Sequence, residues 1–525
     1  MKETRTHAHA AVPLSWRSSL LAGLLALVAY LALAPAVTGD KDAAEFTLVL
    51  GTGGVAHPTG YPLYTLLGHP FVRALHAVGA TWAYAANAWS AVGGALAIML
   101  LHRLARRLLP HEGPAAGVEA WLPVLLFAFN PIWTYEATLA ETGSWHVAWA
   151  AGATLLALRL LEELAGKGAH TASHAGWRRG ALAWGLVCGA GLAHHATALL
   201  FIAPLTFVLA RAAGRRRLPL DVLLLVVAGA ALPLLSYATI AWRAFHPGAG
   251  QWPVLGPSWG DVLDHVTAAQ YRGYFGGFHP SPGQAGHLAR YVYPFVGVVA
   301  LAMVAALRRM APGSRRTLVG AAAAGCIIQT LVILAYGVPD PGSYFLPVLG
   351  VGLVALAPAV AAFGWLKRNA AMALVIIVAV FGALDGFWLK VNLDRRALYG
   401  RHEKVLRDMW SAITIDQAFV LWHNDMVHQL LVWQVLDGEK PGLFIHNPAM
   451  LTHPWPRQQF TQKHGFDPIE GLVPPGVNDG AGGARMADQI GARLNAMSPL
   501  PVIEFDGEQR LVRMLKKPVA GVPGH

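Results

Sequence analysis

Long apolar runs recur along this chain, and they constrain its fold more than any other feature. They lie at about 19–37, 83–101, 119–133, 145–161, 180–193, 196–210, 219–241, 288–307, 317–336, 344–365 and 370–389. A helix needs roughly 20 apolar residues to cross the hydrocarbon core, so the series predicts about eleven transmembrane helices. With 55% hydrophobic and 13% charged residues, a soluble globule of this chain would expose large apolar patches. The expected fold class is an α-helical polytopic membrane protein. Ala34-Pro35-Ala36 resembles a signal-peptide cleavage site, but the run before it is long and many spans follow, which favours a retained first helix.

The net charge of +11 sits in short arginine clusters between apolar runs rather than in a basic stripe with aromatic residues, which argues against nucleic acid as a partner. Arg103, Arg106 and Arg107 follow the second run, and Arg178 and Arg179 separate the fourth from the fifth. Arg211 and Arg215–Arg217, then Arg308, Arg309, Arg315 and Arg316, then Lys367 and Arg368 mark every second connection thereafter. By the positive-inside rule these connections and the N-terminus are cytoplasmic, and an odd number of spans places the C-terminal region outside. Cys188 and Cys326 lie inside apolar runs without a partner at metal or disulfide spacing, so they read as packing residues.

After Leu389 the apolar runs stop. Residues 401–412 read as an amphipathic helix, 418–422 as a strand, 426–436 as a helix and 442–446 as a strand. This alternation predicts a small extracytoplasmic α/β domain over 391–525 behind a membrane domain over 1–390.

The connections placed outside hold the polar chemistry. The first contains Asp40, Asp42 and Glu45, then Gly54-Val55-Ala56-His57-Pro58-Thr59-Gly60-Tyr61-Pro62-Leu63-Tyr64. If a helix starts at Asp42, the i, i+3 spacing puts its carboxylate and that of Glu45 on one face, as general-base chemistry on a hydroxyl needs. The same spacing also suits a plain capping box. The second connection carries Glu136 and Glu141 at the membrane edge, where a carboxylate is costly unless it lines a wet cavity or pairs. His194 and His195 form a third turn; adjacent histidines point apart on a helix and make a poor metal site. The fourth carries His265, Gln270, Tyr271 and Arg272, with Arg290 at the mouth of the next run, suited to an anionic lipid phosphate or to snorkelling. Asp340 and Tyr344 lie in the fifth. No Gly-rich phosphate loop, Ser-His-Asp spacing or Cys/His metal signature occurs, so neither a soluble nucleotide donor nor a metal is specified. An enzyme working at the outer face needs a donor that reaches it, and a sugar on a polyprenyl phosphate does.

The stretch Asp42-Ala43-Ala44-Glu45-Phe46, followed by His57-Pro58-Thr59-Gly60-Tyr61-Pro62-Leu63-Tyr64, resembles the transmembrane protein 260 family, a GT-C-type glycosyltransferase group that includes a protein O-mannosyltransferase. Ala140-Glu141, His195-Ala196-Thr197, His265-Val266-Thr267 with Gln270-Tyr271, Pro339-Asp340 and Tyr344-Phe345-Leu346-Pro347 are weaker matches, as are Asn424-Asp425 and 447–455 in the tail. The family's Gly-Asp-Ser-Gly-Glu is split here, so Asp40 and Asp42 both fit its aspartate; the spacing to Glu45 selects Asp42. The family's Val-Tyr after the second-loop acid is Thr142-Gly143 here.

The resemblance implies a GT-C fold and an inverting, polyprenyl-phosphate-dependent glycosyltransferase, with mannose the suggested sugar; the Ala-, Gly- and Arg-rich composition is consistent with a bacterium, whose inner membrane would be the location. Asp42 is then the expected base, with Glu45 and Glu141 orienting sugar or acceptor. Arg272, Arg290, His194 or His195 would offset charge on the leaving phosphate, and Asp40, His57, Tyr61, His265, Gln270, Tyr271, Asp340 and Tyr344 would line the substrate site. The acceptor would be a protein or glycan. The rival readings are a transporter or flippase of lipid-linked saccharides and a membrane sensor. Charges at span ends rather than mid-membrane, and the lack of repeated halves, count against the first.

Overall fold

The computed structural model describes residues 16–39, 42–109, 116–165, 174–214, 219–276, 280–337, 341–362, 370–422, 427–474, 480–506 and 511–515. The chain begins with α1 (Arg17–Leu33), then two helices in the first connection, α2 (Ala43–Thr52) and α3 (Pro62–Ala77), before α4 (Trp82–Leu108). There follow α5 (Ala116–Ala128), the short α6 (Pro131–Glu136), α7 (Gly143–Ala165), α8 (His174–His194) and α9 (Leu199–Gly214). Next come α10 (Leu220–Leu234), α11 (Tyr237–Phe245), α12 (Trp259–Val266), α13 (Pro282–Tyr291), α14 (Tyr293–Arg309) and α15 (Ser314–Ala335). The membrane part closes with α16 (Leu346–Leu353), α17 (Leu356–Ala361) and the start of α18 (Ala370–Ser411).

Among the described residues the eleven apolar runs fall mostly on helix, with breaks that include 34–37, 129–130, 235–236 and 354–355, and 363–365 lie outside the described residues. Among the described residues, six helical stretches are long and apolar enough to cross a membrane by themselves: Trp82–Leu108, Ala196–Gly214, Leu220–Phe245, Pro282–Arg309, Ser314–Ala335 and Ser343–Ala361. The first helix is shorter, and α7 and α8 carry charge at their ends, Arg159, Glu162 and Glu163 in one and Arg178 and Arg179 in the other. Close backbone approach packs α8 on α10. A methyl group on Gly185 or Gly189 would lie 2.2 Å or 2.1 Å from the carbonyl oxygens of Val226 and Ala230. Small residues at such a crossing are how helices associate where burial of side chains from water supplies no drive.

The basic helix ends converge. Arg107 pairs with Glu162, Arg315 approaches the same carboxylate at 3.9 Å, and Arg106 donates to Ser18 at 2.6 Å. At the other end of α4, Asn87 donates to the Pro35 carbonyl at 2.9 Å, and its own oxygen accepts from the Ala140 N–H at 2.8 Å. Ser90 donates to the Glu141 carbonyl at 2.9 Å. Thus α4 ties the first two acidic connections together at the end of the bundle away from the arginines.

Helix α18 is 42 residues, about 60 Å at 1.5 Å per residue. The expected span at 370–389 and amphipathic helix at 401–412 are one continuous helix, and residue 390 lies inside it. Its end packs on a sheet of β1 (Ala418–Leu421), β2 (Leu443–His446), β3 (Val502–Asp506) and β4 (Leu511–Leu515), ordered β2-β1-β3-β4. Strand β1 pairs parallel with β2 and β3, and β4 runs antiparallel to β3. Alternation along β1 serves two layers. Ala418 and Val420 meet Leu406, Met409 and Trp410 of α18, and Phe419 and Leu421 meet Phe460, Ile490 and Leu494 on the opposite face. The latter come from α20 (Pro454–His464) and α21 (Gly480–Met497), while α19 (Val427–Leu431) returns toward the membrane unit. Leu48 of α2 joins the α18-side core, so the C-terminal part is seated directly on the first connection.

Candidate active site

Helix α2 is the platform of the site. Nine of its ten residues are buried, and Gly53, at φ 65°, ends it in the left-handed conformation that glycine adopts without strain. Asp42 stands at its N-cap but its side chain makes no capping bond, so the capping-box reading of the spacing does not hold. Its carboxylate instead faces His57, Oδ2 to Nε2 at 3.9 Å, with the side chain 45% exposed.

Glu45, one turn on, is 4% exposed and grips the His57 segment with both oxygens. Oε1 accepts the His57 backbone N–H at 2.6 Å, and Oε2 lies 3.0 Å from the ring Nδ1. Burial alone would raise the Glu45 pKa. The charge and hydrogen bonds of His57, with a contribution from His428, outweigh it and leave the carboxyl below its ordinary value. With Nδ1 turned to Glu45, the Nε2 edge of the His57 ring meets the Tyr61 hydroxyl at 3.3 Å. Tyr61 itself sits at φ 44°, a strained conformation for a bulky residue, at the N-cap of α3.

Aromatic rings continue the cluster. His57 packs edge-on to Tyr61 at 5.2 Å and to Trp252 at 5.9 Å, Tyr61 lies 5.7 Å from His195, and His195 lies 6.0 Å from Tyr344. Thr197 shares its hydroxyl with His195 Nδ1 at 2.7 Å and His146 Nε2 at 3.0 Å. His194 turns to the Thr142 carbonyl at 3.1 Å and its ring lies tilted at 6.0 Å from that of Tyr64, which in turn feels the charge of Glu141. Glu141 is buried and connects to the Asp42 group through Tyr64 and Phe46, whose rings are 5.4 Å apart. Glu136 is also buried and accepts the Gly143 N–H at 3.1 Å.

The long fourth connection closes over this group. His265 is buried, and burial depresses its pKa to about 4, so its ring is neutral at pH 7. Its Nε2 has no hydrogen-bond partner among the described residues. Tyr271 is bonded to Gln270, and burial with the charges of Glu45 and Asp42 raises its pKa. Burial likewise raises that of Tyr61. Gln270 and Arg272 are exposed, as is Arg290, whose guanidinium lies 5.4 Å over the Tyr291 ring. Asp40, Asp340 and the tail pair Asn424-Asp425 lie outside the described residues.

Sequence reading missed Trp252 and His428, whose rings stack 6.2 Å apart and bring the C-terminal part to the cluster. Gln429, next to His428, accepts from Thr38 in the first connection. Neither stands in a recognisable motif, and only the tertiary approach of α19 to α2 assigns them. Reading the sequence for metal signatures likewise gives none, whereas the fold sets one ligand atom each of Asp42, Glu45 and His57 within 4.8 Å of one another, a spacing that could hold a cation. Glu45 is already satisfied by His57 in that group.

With this geometry in place, comparison with known proteins is informative. Residues 42–217 match the family model described as "Protein O-mannosyl-transferase TMEM260 N-terminal domain", which begins at Asp42 and includes α2 through α9. The match covers less than half of the chain. No curated protein sequence matches the chain. Among solved structures, ArnT from Cupriavidus metallidurans in the apo state is similar over 93% of this chain and 93% of its own, at 13% identity and a TM-score of 0.54. The oligosaccharyltransferase AglB from Archaeoglobus fulgidus, in complex with an inhibitory peptide and a dolichol-phosphate, is similar over 93% of this chain and 69% of its own, at 12% identity and a TM-score of 0.51. The overall fold is thus similar to that of ArnT and AglB.

Proposed function

We propose that this chain moves a sugar, mannose or another hexose, from a polyprenyl-phosphate donor to a hydroxyl on an extracytoplasmic acceptor such as a protein serine or threonine. The observation that carries this reading is the Asp42 carboxylate, accessible at the edge of a buried Glu45–His57 pair and free of any capping role. The family description, protein O-mannosyl-transferase, supports the sugar and the acceptor class, and the dolichol-phosphate bound by AglB supports the donor class.

In the mechanism, the acceptor oxygen attacks the anomeric carbon as the bond from that carbon to the phosphate oxygen breaks. The acceptor proton passes to Asp42, the sugar inverts, and polyprenyl phosphate departs as an anion. Glu45 holds His57 in one tautomer, and His57 with Tyr61 fixes the wall against which the acceptor lies. Glu141 and the His194–His195 turn orient the sugar, and Tyr271 and Tyr344 line the same space. Gln270, Arg272 and Arg290 contribute from the rim, and Asp40 and Asp340 remain substrate-binding candidates by their place in the sequence. Residues 1–390 form the catalytic membrane domain, and 391–525 form a periplasmic domain that helps bind the acceptor, with the N-terminus in the cytoplasm of a bacterial cell. The test is to incubate purified chain with polyprenyl-phosphate sugars and Ser/Thr-containing peptides and to read products by mass spectrometry. A hexose added to peptide supports the reading. Translocation of lipid-linked sugar without any transfer contradicts it.

A further inference from the structure

Beneath the His194–His195 turn lies a buried titratable group that the mechanism above leaves unused. His146, in the first turn of α7, is 3% exposed, and its ring stacks on Trp149 at 5.5 Å and on His195 at 4.7 Å. Its Nε2 lies 3.0 Å from the Thr197 hydroxyl, and its Nδ1 has no hydrogen-bond partner among the described residues. A buried, half-satisfied imidazole at the start of a membrane helix is costly, which points to a function rather than to packing.

The hydrogen positions along this row of groups follow from one bond. The backbone N–H of Thr197 donates to His195 Nδ1 at 3.2 Å, and an amide nitrogen only donates, so Nδ1 carries no proton. The Thr197 hydroxyl, 2.7 Å from the same Nδ1, then donates to it as well. Its proton is thereby committed, and its oxygen accepts from His146 Nε2. His195 in turn holds its single proton on Nε2, an atom that makes no hydrogen bond among the described residues. The ring is only partly buried and stands between Tyr61 at 5.7 Å and Tyr344 at 6.0 Å. His194 points elsewhere, to the Thr142 carbonyl at 3.1 Å, so the two adjacent rings are not interchangeable.

We propose that His146 and Thr197 are positioning residues that lock His195 as a neutral Nε2–H donor to a hydroxyl oxygen of the transferred sugar. A neutral N–H between two phenol rings suits a sugar, whose oxygens accept while its C–H faces pack on aromatic rings. A phosphate would draw a cation as its stronger partner. With Nδ1 occupied and Nε2 protonated, His195 has no lone pair for the acceptor proton, which leaves that step to Asp42. The assignment rests on the sugar-orienting role given to His195 above.

The experiment uses the full chain in nanodiscs with two readouts. One is hexose transfer from a polyprenyl-phosphate hexose to a Ser/Thr peptide. The other is nitrogen NMR of protein carrying isotope-labelled histidine, with the His195 signals identified by their loss in His195→Phe. Wild-type His195 should be neutral with its proton on Nε2. Thr197→Val, nearly isosteric, and His146→Phe, which keeps the ring stack, should each turn His195 into a mixture of tautomers. Each should also lower kcat/KM by about fivefold, the share of one hydrogen bond. Thr197→Ser should recover most of the rate lost in Thr197→Val, and neither loss should recur in the His195→Phe background. Should His146→Phe fail to fold, Thr197→Val decides alone. A proton on His195 Nδ1 in wild type, or Thr197→Val transfer at the wild-type rate, overturns the lock and leaves the sugar-transfer reading standing. Equal losses in both backgrounds, as a merely structural role would give, overturn it too. A wild type with the expected tautomer that transfers no hexose overturns the sugar-transfer reading and this use of His195 together.

Discussion

Replacing Glu45 with Gln isolates what the buried carboxylate contributes to His57. The amide is close to isosteric and keeps an oxygen for the His57 backbone N–H, which now donates at 2.6 Å. What it loses is the negative charge facing the ring Nδ1 at 3.0 Å. A hydrogen bond to a charged partner contributes roughly 1.5–3 kcal/mol, so the lost bond is worth about 2 kcal/mol. If His57 must hold one tautomer as the acceptor approaches, that difference appears as a fall in kcat of roughly 30-fold. The KM for the donor should move less than about threefold, because Glu45 does not bind the lipid in this account. Glu45→Ala should lose more and also lower Tm, since it strands both N–H groups of His57 in a buried space at about 1–3 kcal/mol each. The assay is sugar transfer in nanodiscs at matched folded fraction, with thermal unfolding measured alongside. Glu45→Gln activity within twofold of wild type, or a loss confined to donor KM, would refute the reasoning.

The remaining expectations are independent of that one. Glu45 is held below its ordinary pKa, so the stability it contributes is present above the unfolded carboxylate value of about 4.3 and is lost as pH falls through the lower folded value. The Tm gap between wild type and Glu45→Gln should therefore be full at about pH 7 and shrink towards about pH 3; a gap that widens on acidification contradicts the assigned sign. Gly54→Ala would put a methyl group 2.1 Å from the Gly250 backbone oxygen, breaking the bridge in which Val55 donates to Gly250 at 3.1 Å and Trp252 donates to Val55 at 2.8 Å. A loss of about 3 kcal/mol or more should show as poor folding in a thermal-shift assay, and unchanged Tm would count against the loop packing. Tyr61→Phe removes the hydroxyl 3.3 Å from His57 Nε2 and should slow transfer by about 3- to 10-fold, the share of one ordinary hydrogen bond, without a comparable loss of Tm.

Much of this was legible because membranes impose a simple grammar. Apolar length pointed to the helices of the membrane part, six of which are long and apolar enough to cross among the described residues, and Arg106, Arg107 and Arg315 do gather at the end of α4 away from Asp42. The spacing of Asp42 and Glu45 and the His57–Tyr61 motif marked groups that fold into contact. What sequence could not carry was long-range approach. Trp252 and His428 reach the cluster from segments far along the chain, and nothing local distinguishes them from core aromatics. Periodicity also suggested two helices where α18 is one, because 390–400 carries charge that breaks an apolar run without breaking a helix.

The most direct test is a single-turnover experiment on Asp42→Asn. Purified wild type and variant are mixed with a labelled polyprenyl-phosphate sugar and acceptor, and the release of polyprenyl phosphate is followed. The account predicts that the variant folds and loads donor normally yet transfers at least about 100-fold more slowly, as loss of a general base requires. A variant that turns over at the wild-type rate would show that the proton leaves by another route and that the carboxylate on α2 is not the centre of the chemistry.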